Sequence, residues 1–293
     1  MLGVHIDIPS MVASIPLDKI EKATKRILIV LANDNVAAKP LEEMIGMLQW
    51  IGQVLVRAGV HLPFSIQTLK AAFRFGWAKV SLELRKELQW WLTLLKDWNG
   101  RTVVIDPVWV IPAHSADMAP FTDACVDEGK GGGGAIFRQY IFACRWTPVE
   151  CRRLNIYELE GLTHVLWMQW ICSNVPHLVQ GKRFISRCDN ESFCLAVARG
   201  RSSCPVIDWL LLKLHHLQSR FSFEIQVQHV AGVDNEIADL LSRAKWPQFL
   251  TCIKRDADLS LSDLVQVQIP ERFEWSLKLI SMKLSEAAML KPL

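Results

Sequence analysis

The sequence predicts an α/β protein in which a mixed sheet flanked by helices follows a mostly helical N-terminal region. Apolar residues recur at helical spacing through the first hundred residues, whereas short strand-like and helix-like segments alternate beyond residue 118. Alternation of this kind is typical of a central sheet covered by helices. We therefore expect a helical region at 1–100, a linker at 101–118, an α/β domain at 119–245, and a C-terminal tail at 246–293 with no assigned role.

The N-terminal region begins with a predicted β-hairpin and continues as helices. Residues 3–8 and 11–15 show partial alternation of apolar side chains on either side of a turn. Helical periodicity starts after Pro16 and again at Pro40, since proline suits the first turn of a helix. Further predicted helices cover residues 65–76 and 81–98.

The α/β domain is predicted to contain five strands, and the sequence gives positions for four of them. The first begins at Phe121, the glycine-rich segment 129–134 is predicted to form a hairpin turn, and residues 135–143 continue as a strand. The later predicted elements are a helix at 159–171, a strand at 183–187, a helix at 205–217, a strand at 221–230 and a short helix at 235–242. Pro107 and Pro112 mark the linker that precedes them.

Composition excludes several classes of protein. Of the 293 residues, 51% are hydrophobic and 22% charged, which is typical of a folded globular chain. The longest apolar run, at 27–32, is far too short to span a bilayer, and the N-terminus lacks the order of a signal peptide. We therefore expect an intracellular protein, in the cytoplasm or nucleus, with no membrane partner.

The cysteines point to reduced thiols. Eight are present, and none belongs to a CxxC pair, so we expect neither disulfides nor a zinc site. Any bound metal is then expected to have oxygen ligands. The net charge of +3 does not identify a partner, because a nucleic-acid enzyme combines basic phosphate contacts with acidic metal ligands.

Four acidic residues stand where a sheet-based site would need them. They follow or open predicted strands and helices, and they are Asp123, Glu158, Asp189 and Asp239. Four carboxylates at one edge of a sheet repel one another unless a divalent cation neutralises them. Each also has a structural interpretation, since an acidic residue at a strand end or helix start is commonly a cap or turn former. Five neighbouring acids are interpreted as solvated charges: Asp127, Glu128, Glu160, Glu191 and Asp234.

The residues around these acids resemble a known family. The motifs are Thr122-Asp-Ala, Asn155-x-x-Glu158-Leu, Asp189-Asn190, and the segment His229-Val-Ala-Gly-Val-Asp-Asn-Glu-Ile-Ala-Asp-Leu-Leu-Ser-Arg. Together they resemble the ribonuclease H domain of retrotransposon reverse transcriptases of the DIRS-like group. Residues 1–100 are similar to the end of the polymerase palm, the thumb and the connection of that family.

The resemblance implies a fold, an activity and a set of functional residues. It implies a ribonuclease H-like five-stranded mixed sheet and a metal-dependent endonuclease that hydrolyses the RNA strand of RNA·DNA hybrids. Asp123, Glu158, Asp189 and Asp239 would be catalytic residues that bind two Mg²⁺ ions, with Mn²⁺ as a substitute, and His229 would assist catalysis. The implied partners are the nucleic-acid hybrid and the rest of a reverse transcriptase polyprotein.

A missing motif limits the expected activity. The polymerase motif Tyr-x-Asp-Asp is absent, so we expect no polymerase activity from this chain alone. The alternative interpretation is a catalytically inactive remnant that binds nucleic acid or a polymerase partner. Which residues would contact nucleic acid does not follow from the sequence.

Overall fold

The computed structural model describes residues 3–55, 57–106, 108–110, 120–128, 130–256 and 261–289. The chain divides into two compact units. The first comprises Met1–Asp106 and His215–Glu224, and the second comprises Pro107–Leu214 and Ile225–Leu293. Half of the predicted linker, including Pro107 and Pro112, lies outside the described residues.

The first unit is mainly helical, as expected. Its elements are β1 (His5–Asp7), β2 (Val12–Ser14), α1 (Leu17–Leu31), β3 (Asn35–Ala37), α2 (Ala38–Ile51), α3 (Pro63–Phe75), β4 (Trp77–Lys79), α4 (Leu82–Asp97) and β5 (Arg101–Val103). The predicted hairpin is confirmed, since β1 pairs antiparallel with β2. Helix α1 buries one face and exposes the other, because Ile20, Ala23, Ile27 and Val30 recur at helical spacing.

The second unit is a mixed α/β structure. Its elements are β6 (Trp109–Val110), β7 (Phe121–Asp127), β8 (Lys130–Phe137), β9 (Tyr140–Trp146), α5 (Pro148–Arg153), α6 (Ile156–Asn174), β10 (Arg183–Cys188), α7 (Glu191–Arg199), α8 (Pro205–Phe221), β11 (Glu224–His229), α9 (Glu236–Ser242), α10 (Trp246–Asp256), β12 (Val265–Val267) and α11 (Glu271–Met289). The last residues of α8, from His215, and the first residue of β11 group with the first unit.

The sheet of this unit has more strands than expected. Its order is β11-β10-β7-β8-β9-β12, and β6 also pairs with β10. Strand β7 runs antiparallel to β8 and parallel to β10, so the sheet is mixed. The prediction of five strands missed β6 and β12. Strand β12 lies in the predicted tail and pairs in parallel with β9, so the tail contributes to the domain.

The prediction for the glycine run was wrong. Gly131–Gly134 do not form a hairpin turn; they lie within β8, paired on both sides with β7 and β9. The strand predicted at 135–143 is two strands, which reverse near Arg138, a residue with a positive φ of 54°. The sequence has no glycine or asparagine at that turn to indicate it.

The glycines in β8 allow helix α9 to lie directly on the sheet. A Cβ atom on Gly132 would collide with the backbone of Ser242, and one on Gly134 would collide with the backbone of Ala238 and Ser242. Side chains at these positions would push the helix outward. The absence of side chains therefore sets the position of α9 and of the acidic residue Asp239 that it carries. Among the described residues, no helix combines the length and the apolar character needed to cross a membrane.

We predict that Gly134→Ala lowers the free energy of unfolding by about 1–3 kcal/mol, because the added methyl group overpacks the contact with α9. Urea denaturation followed by circular dichroism measures the change. Gly46→Ala is the control: it lies in α2 with no atom near its added Cβ, and should raise stability by about 0.5–1 kcal/mol. Equal effects of the two substitutions would contradict the close packing of α9.

Candidate metal centre

Asp123 lies in the interior of β7, directly opposite Gly134 of β8. Its side chain is 3% exposed, and the Ser242 hydroxyl at the end of α9 donates a hydrogen bond to Oδ2 of its carboxyl group. Burial is the main cause that raises the pKa of Asp123 to about 7; the nearby Asp189 and Asp239 carboxylates act in the same direction, and the hydrogen bond from Ser242 opposes them. A carboxyl group with a pKa near 7 is partly protonated at neutral pH, and a bound cation would displace that proton.

Asp189 lies beside Asp123 because of strand register. Strand β10 pairs in parallel with β7 so that Cys188 is opposite Thr122, and the next residue on each strand is an aspartate. Burial raises the pKa of Asp189, and Asp239 adds to this, whereas a hydrogen bond from Asp123 lowers it. The Oδ1 atom of Asp189 is buried and has no hydrogen-bond partner among the described residues. A buried carboxylate oxygen without a protein donor can accept a hydrogen bond from a water or bind a cation.

Asp239, on helix α9, lies near the carboxyl groups of Asp123 and Asp189. Its carboxylate raises the pKa values of both Asp123 and Asp189, so the three acids share one electrostatic environment. Arg243, one turn later, donates from Nε to Asp239 Oδ1 at 2.6 Å. The pair is partly exposed, and it orients the Asp239 carboxylate more than it adds stability.

Glu160 is the fourth acid of this group. It lies in the first half of α6, is 7% exposed, and accepts a hydrogen bond from the Cys188 thiol at 3.6 Å. Burial raises the pKa of Glu160 to about 8, and the carboxylates of Asp189 and Asp123 contribute to the shift. Glu160 therefore experiences the same mutual repulsion as the three aspartates.

Glu158 occupies a different environment. Its Oε2 accepts hydrogen bonds from the Asn155 backbone N–H at 2.8 Å and from Lys283 Nζ at 2.8 Å, and its Oε1 accepts from the Cys204 thiol at 3.6 Å. Asn155 and Glu158 form a capping box at the start of α6. Two residues along a helix turn the side chain by about 200°, so Glu158 and Glu160 point to opposite sides. The structure brings together Asp123, Asp189, Asp239 and Glu160, and not the predicted Glu158.

His229 is the last residue of β11, and its side chain is exposed. The next residue, Val230, donates from its backbone N–H to the Cys188 carbonyl at 3.1 Å, which holds this segment against the end of β10. His229 is close enough to Asp189 to lower the pKa of that carboxyl group. The predicted histidine thus borders the cluster of Asp123, Asp189, Asp239 and Glu160, which is called the acidic group below. The other neighbouring acids, Asp127, Glu128, Glu191 and Asp234, are exposed.

The group can hold a metal ion. The ligand atoms of Glu160, Cys188 and Asp189 all lie within 4.8 Å of one another, which is the spacing that a shared cation requires. The unpartnered Oδ1 of Asp189 and the raised pKa values of Asp123 and Glu160 describe a site that needs positive charge. The residues present therefore fit a divalent cation.

Sequence reasoning missed Glu160, Cys188 and Ser242. A signal for Glu160 was present, because a glutamate inside the long apolar segment of α6 is buried on any face of that helix, and glutamate is rarely buried without a partner. No local pattern indicates Cys188 or Ser242, because their contacts are distant in sequence. Cys188 contacts Glu160, which is 28 residues away, and Ser242 contacts Asp123, which is 119 residues away.

No protein-family model matches this chain, and no curated protein matches it.

We predict that the metal-free protein loses stability as pH rises from about 4, the unfolded carboxyl pKa, to about 8, and that the loss levels off above this pH. The folded pKa values of Asp123 and Glu160, about 7 and about 8, exceed their unfolded values, so protonation favours the folded state and this contribution is lost as pH rises through them. Urea unfolding in EDTA across this range measures the slope, and Mg²⁺ should restore more stability at the upper end. Glu160→Gln should flatten the profile; a profile that rises with pH would contradict the mutual repulsion.

We further predict that Glu160→Gln weakens Mg²⁺ binding by more than about tenfold, because it removes a charged ligand. Glu158→Gln, two residues away in the same helix, should bind Mg²⁺ with nearly unchanged affinity. Isothermal titration calorimetry on the two matched variants shows which of the two glutamates binds Mg²⁺. A larger loss in Glu158→Gln would show that the motif glutamate, and not Glu160, reaches the ion.

Proposed function

We propose that the second unit is a ribonuclease H-type nuclease that hydrolyses the RNA strand of RNA·DNA hybrids. One observation carries this proposal: Asp123, Asp189, Asp239 and Glu160 lie close together beside the paired strands β7 and β10, with His229 next to Asp189. Three of the four acids, and the histidine, belong to the motifs that resemble this family. Strands β9, β8, β7, β10 and β11 are consecutive in the sheet, which supports the five-stranded core that the resemblance implies.

Asp123, Glu160, Asp189 and Asp239 would hold two divalent cations, Mg²⁺ or in its place Mn²⁺. Such ions lower the pKa of a bound water and stabilise the charge that develops on the departing 3′ oxygen of a phosphodiester. The hydrogen bond from Ser242 orients Asp123, and Arg243 orients Asp239, so both carboxylates are held in place before substrate arrives. The products would be a 5′-phosphate and a 3′-hydroxyl.

His229 contributes through its position beside Asp189. It is exposed beside Asp189, where a phosphate leaving the acidic group would pass. A histidine changes charge near neutral pH, so it can give or take a proton without remaining bound to a cation. Preference for a hybrid would come from contacts that distinguish a 2′-hydroxyl on one strand from its absence on the other.

One observation favours the alternative, a remnant that binds nucleic acid or a polymerase chain without cleaving. Glu158 is the glutamate that matches the family motif, yet its carboxylate is 2% exposed and bound by Lys283 from α11. If Glu160 cannot take its role, the site lacks a ligand. Cleavage of a labelled RNA·DNA hybrid with Mg²⁺, and its arrest by EDTA, separates the nuclease from the remnant.

We predict that Asp189→Asn reduces hybrid cleavage by about 100-fold or more, since the loss of a ligand charge removes several kcal/mol of transition-state stabilisation. Hybrid binding, measured by fluorescence anisotropy, should persist. The control is Asp127→Asn, an exposed aspartate at the end of β7, which should cleave normally. Equal activity of the two variants would place the active site elsewhere.

We predict that His229→Ala lowers the turnover rate by about ten- to a hundredfold, toward the lower end of what the loss of acid–base assistance costs. Mg²⁺ affinity, measured by calorimetry, should stay close to that of the parent protein. Unchanged turnover would remove the proposed role, and abolished Mg²⁺ binding would make His229 a ligand instead.

A further inference from the structure

The thiol of Cys188 lies among the carboxylates of the metal centre. It is fully buried at the end of β10, one residue before Asp189, and its Sγ atom is 3.6 Å from Glu160 Oε2. The ligand atoms of Cys188, Glu160 and Asp189 are mutually within 4.8 Å. The proposed Mg²⁺ chemistry leaves this sulfur without a role, because Mg²⁺ takes oxygen ligands and thiolates select softer metals.

The spacing of these atoms fits a tetrahedral ion with mixed sulfur and oxygen ligands. In a tetrahedral zinc site, metal–sulfur and metal–oxygen bonds of about 2.3 and 2.0 Å place the two ligand atoms about 3.5 Å apart. The observed separation of Cys188 Sγ from Glu160 Oε2 is 3.6 Å. An ion at this point would need little movement of either side chain.

Asp189 supplies the independent indication of a missing ligand. Its Oδ1 atom is buried and finds no hydrogen-bond partner in the part of the chain that the structure describes, and Asp189 lies with Glu160 and Cys188 in the three-residue group. A carboxylate oxygen without a donor in a buried setting is costly, and a cation bound there would satisfy it. Three protein ligands leave a fourth position for water, as in zinc sites that are not closed.

We propose that Glu160, Cys188 and Asp189 form a binding site for a thiophilic divalent cation, of which Zn²⁺ and Cd²⁺ are representatives. Binding converts the Cys188 thiol to a thiolate, and the displaced proton passes to solvent. The site shares Glu160 and Asp189 with the proposed Mg²⁺ centre, so a thiophilic ion and Mg²⁺ exclude each other. Inhibition of cleavage by Zn²⁺ rests on the proposed function, whereas binding itself does not.

Titration of the full chain with Cd²⁺ tests the binding. Cadmium bound to a thiolate gives an ultraviolet charge-transfer band, which should appear with one equivalent of Cd²⁺ and disappear in Cys188→Ser. The matched control is Cys172→Ser, which replaces another fully buried cysteine, on α6, and should retain the band. Loss of the band in the control alone, or its retention in Cys188→Ser, would overturn the assignment.

A second measurement does not depend on a variant that folds. X-ray absorption of the unaltered protein with one equivalent of Zn²⁺ should show one sulfur together with oxygen neighbours around the metal. A first shell of oxygen alone would mean that Cys188 is only a buried core thiol. If sulfur is bound but no hybrid is cleaved with Mg²⁺, the metal site stands and the proposed nuclease fails; the reverse result rejects only the metal site.

Discussion

The close approach of helix α9 to strand β8 is the contact on which the acidic group depends. Glycines at positions 132 and 134 let the backbone of α9 lie where side chains would otherwise stand. This contact brings the Ser242 hydroxyl to Asp123 and places Asp239 near the same carboxyl group. A run of glycines in the interior of a strand weakens that strand, because each lacks a side chain to pack and loses more conformational entropy on folding. Here the packing of α9 offsets that loss.

Electrostatic repulsion is the second constraint on this part of the molecule. Four carboxyl groups lie close together, and burial disfavours the charged forms of Asp123, Asp189 and Glu160, so the pKa values of Asp123 and Glu160 rise to about 7 and about 8. Protons relieve the repulsion at pH values up to these pKa values, whereas a divalent cation relieves it at higher pH as well. Stability, pH and metal binding are therefore linked through the same residues.

The contrast between Glu158 and Glu160 shows how a local motif and a tertiary position can diverge. Both glutamates are buried in the first turns of α6, yet one closes a capping box and binds Lys283 while the other faces the aspartates. The capping box makes the Asn-x-x-Glu spacing sufficient to start a helix whether or not the glutamate binds a metal. The resemblance at this position thus has a structural explanation besides the catalytic one, and the glutamate beside the aspartates is the one that the motif does not mark.

Much of the architecture could be predicted from the order of residues. Helical periodicity after Pro16 and Pro40, and the alternation of strands and helices beyond residue 118, follow from local patterns of apolar residues and were matched by α1, α2 and the mixed sheet. Only the tertiary structure decided that the glycines form a strand, that the tail adds β12 to the sheet, and that Glu160 and Cys188 face Asp189. The reason is physical: periodicity reports which face of an element is buried, whereas strand register and the packing of α9 decide which distant side chains meet there.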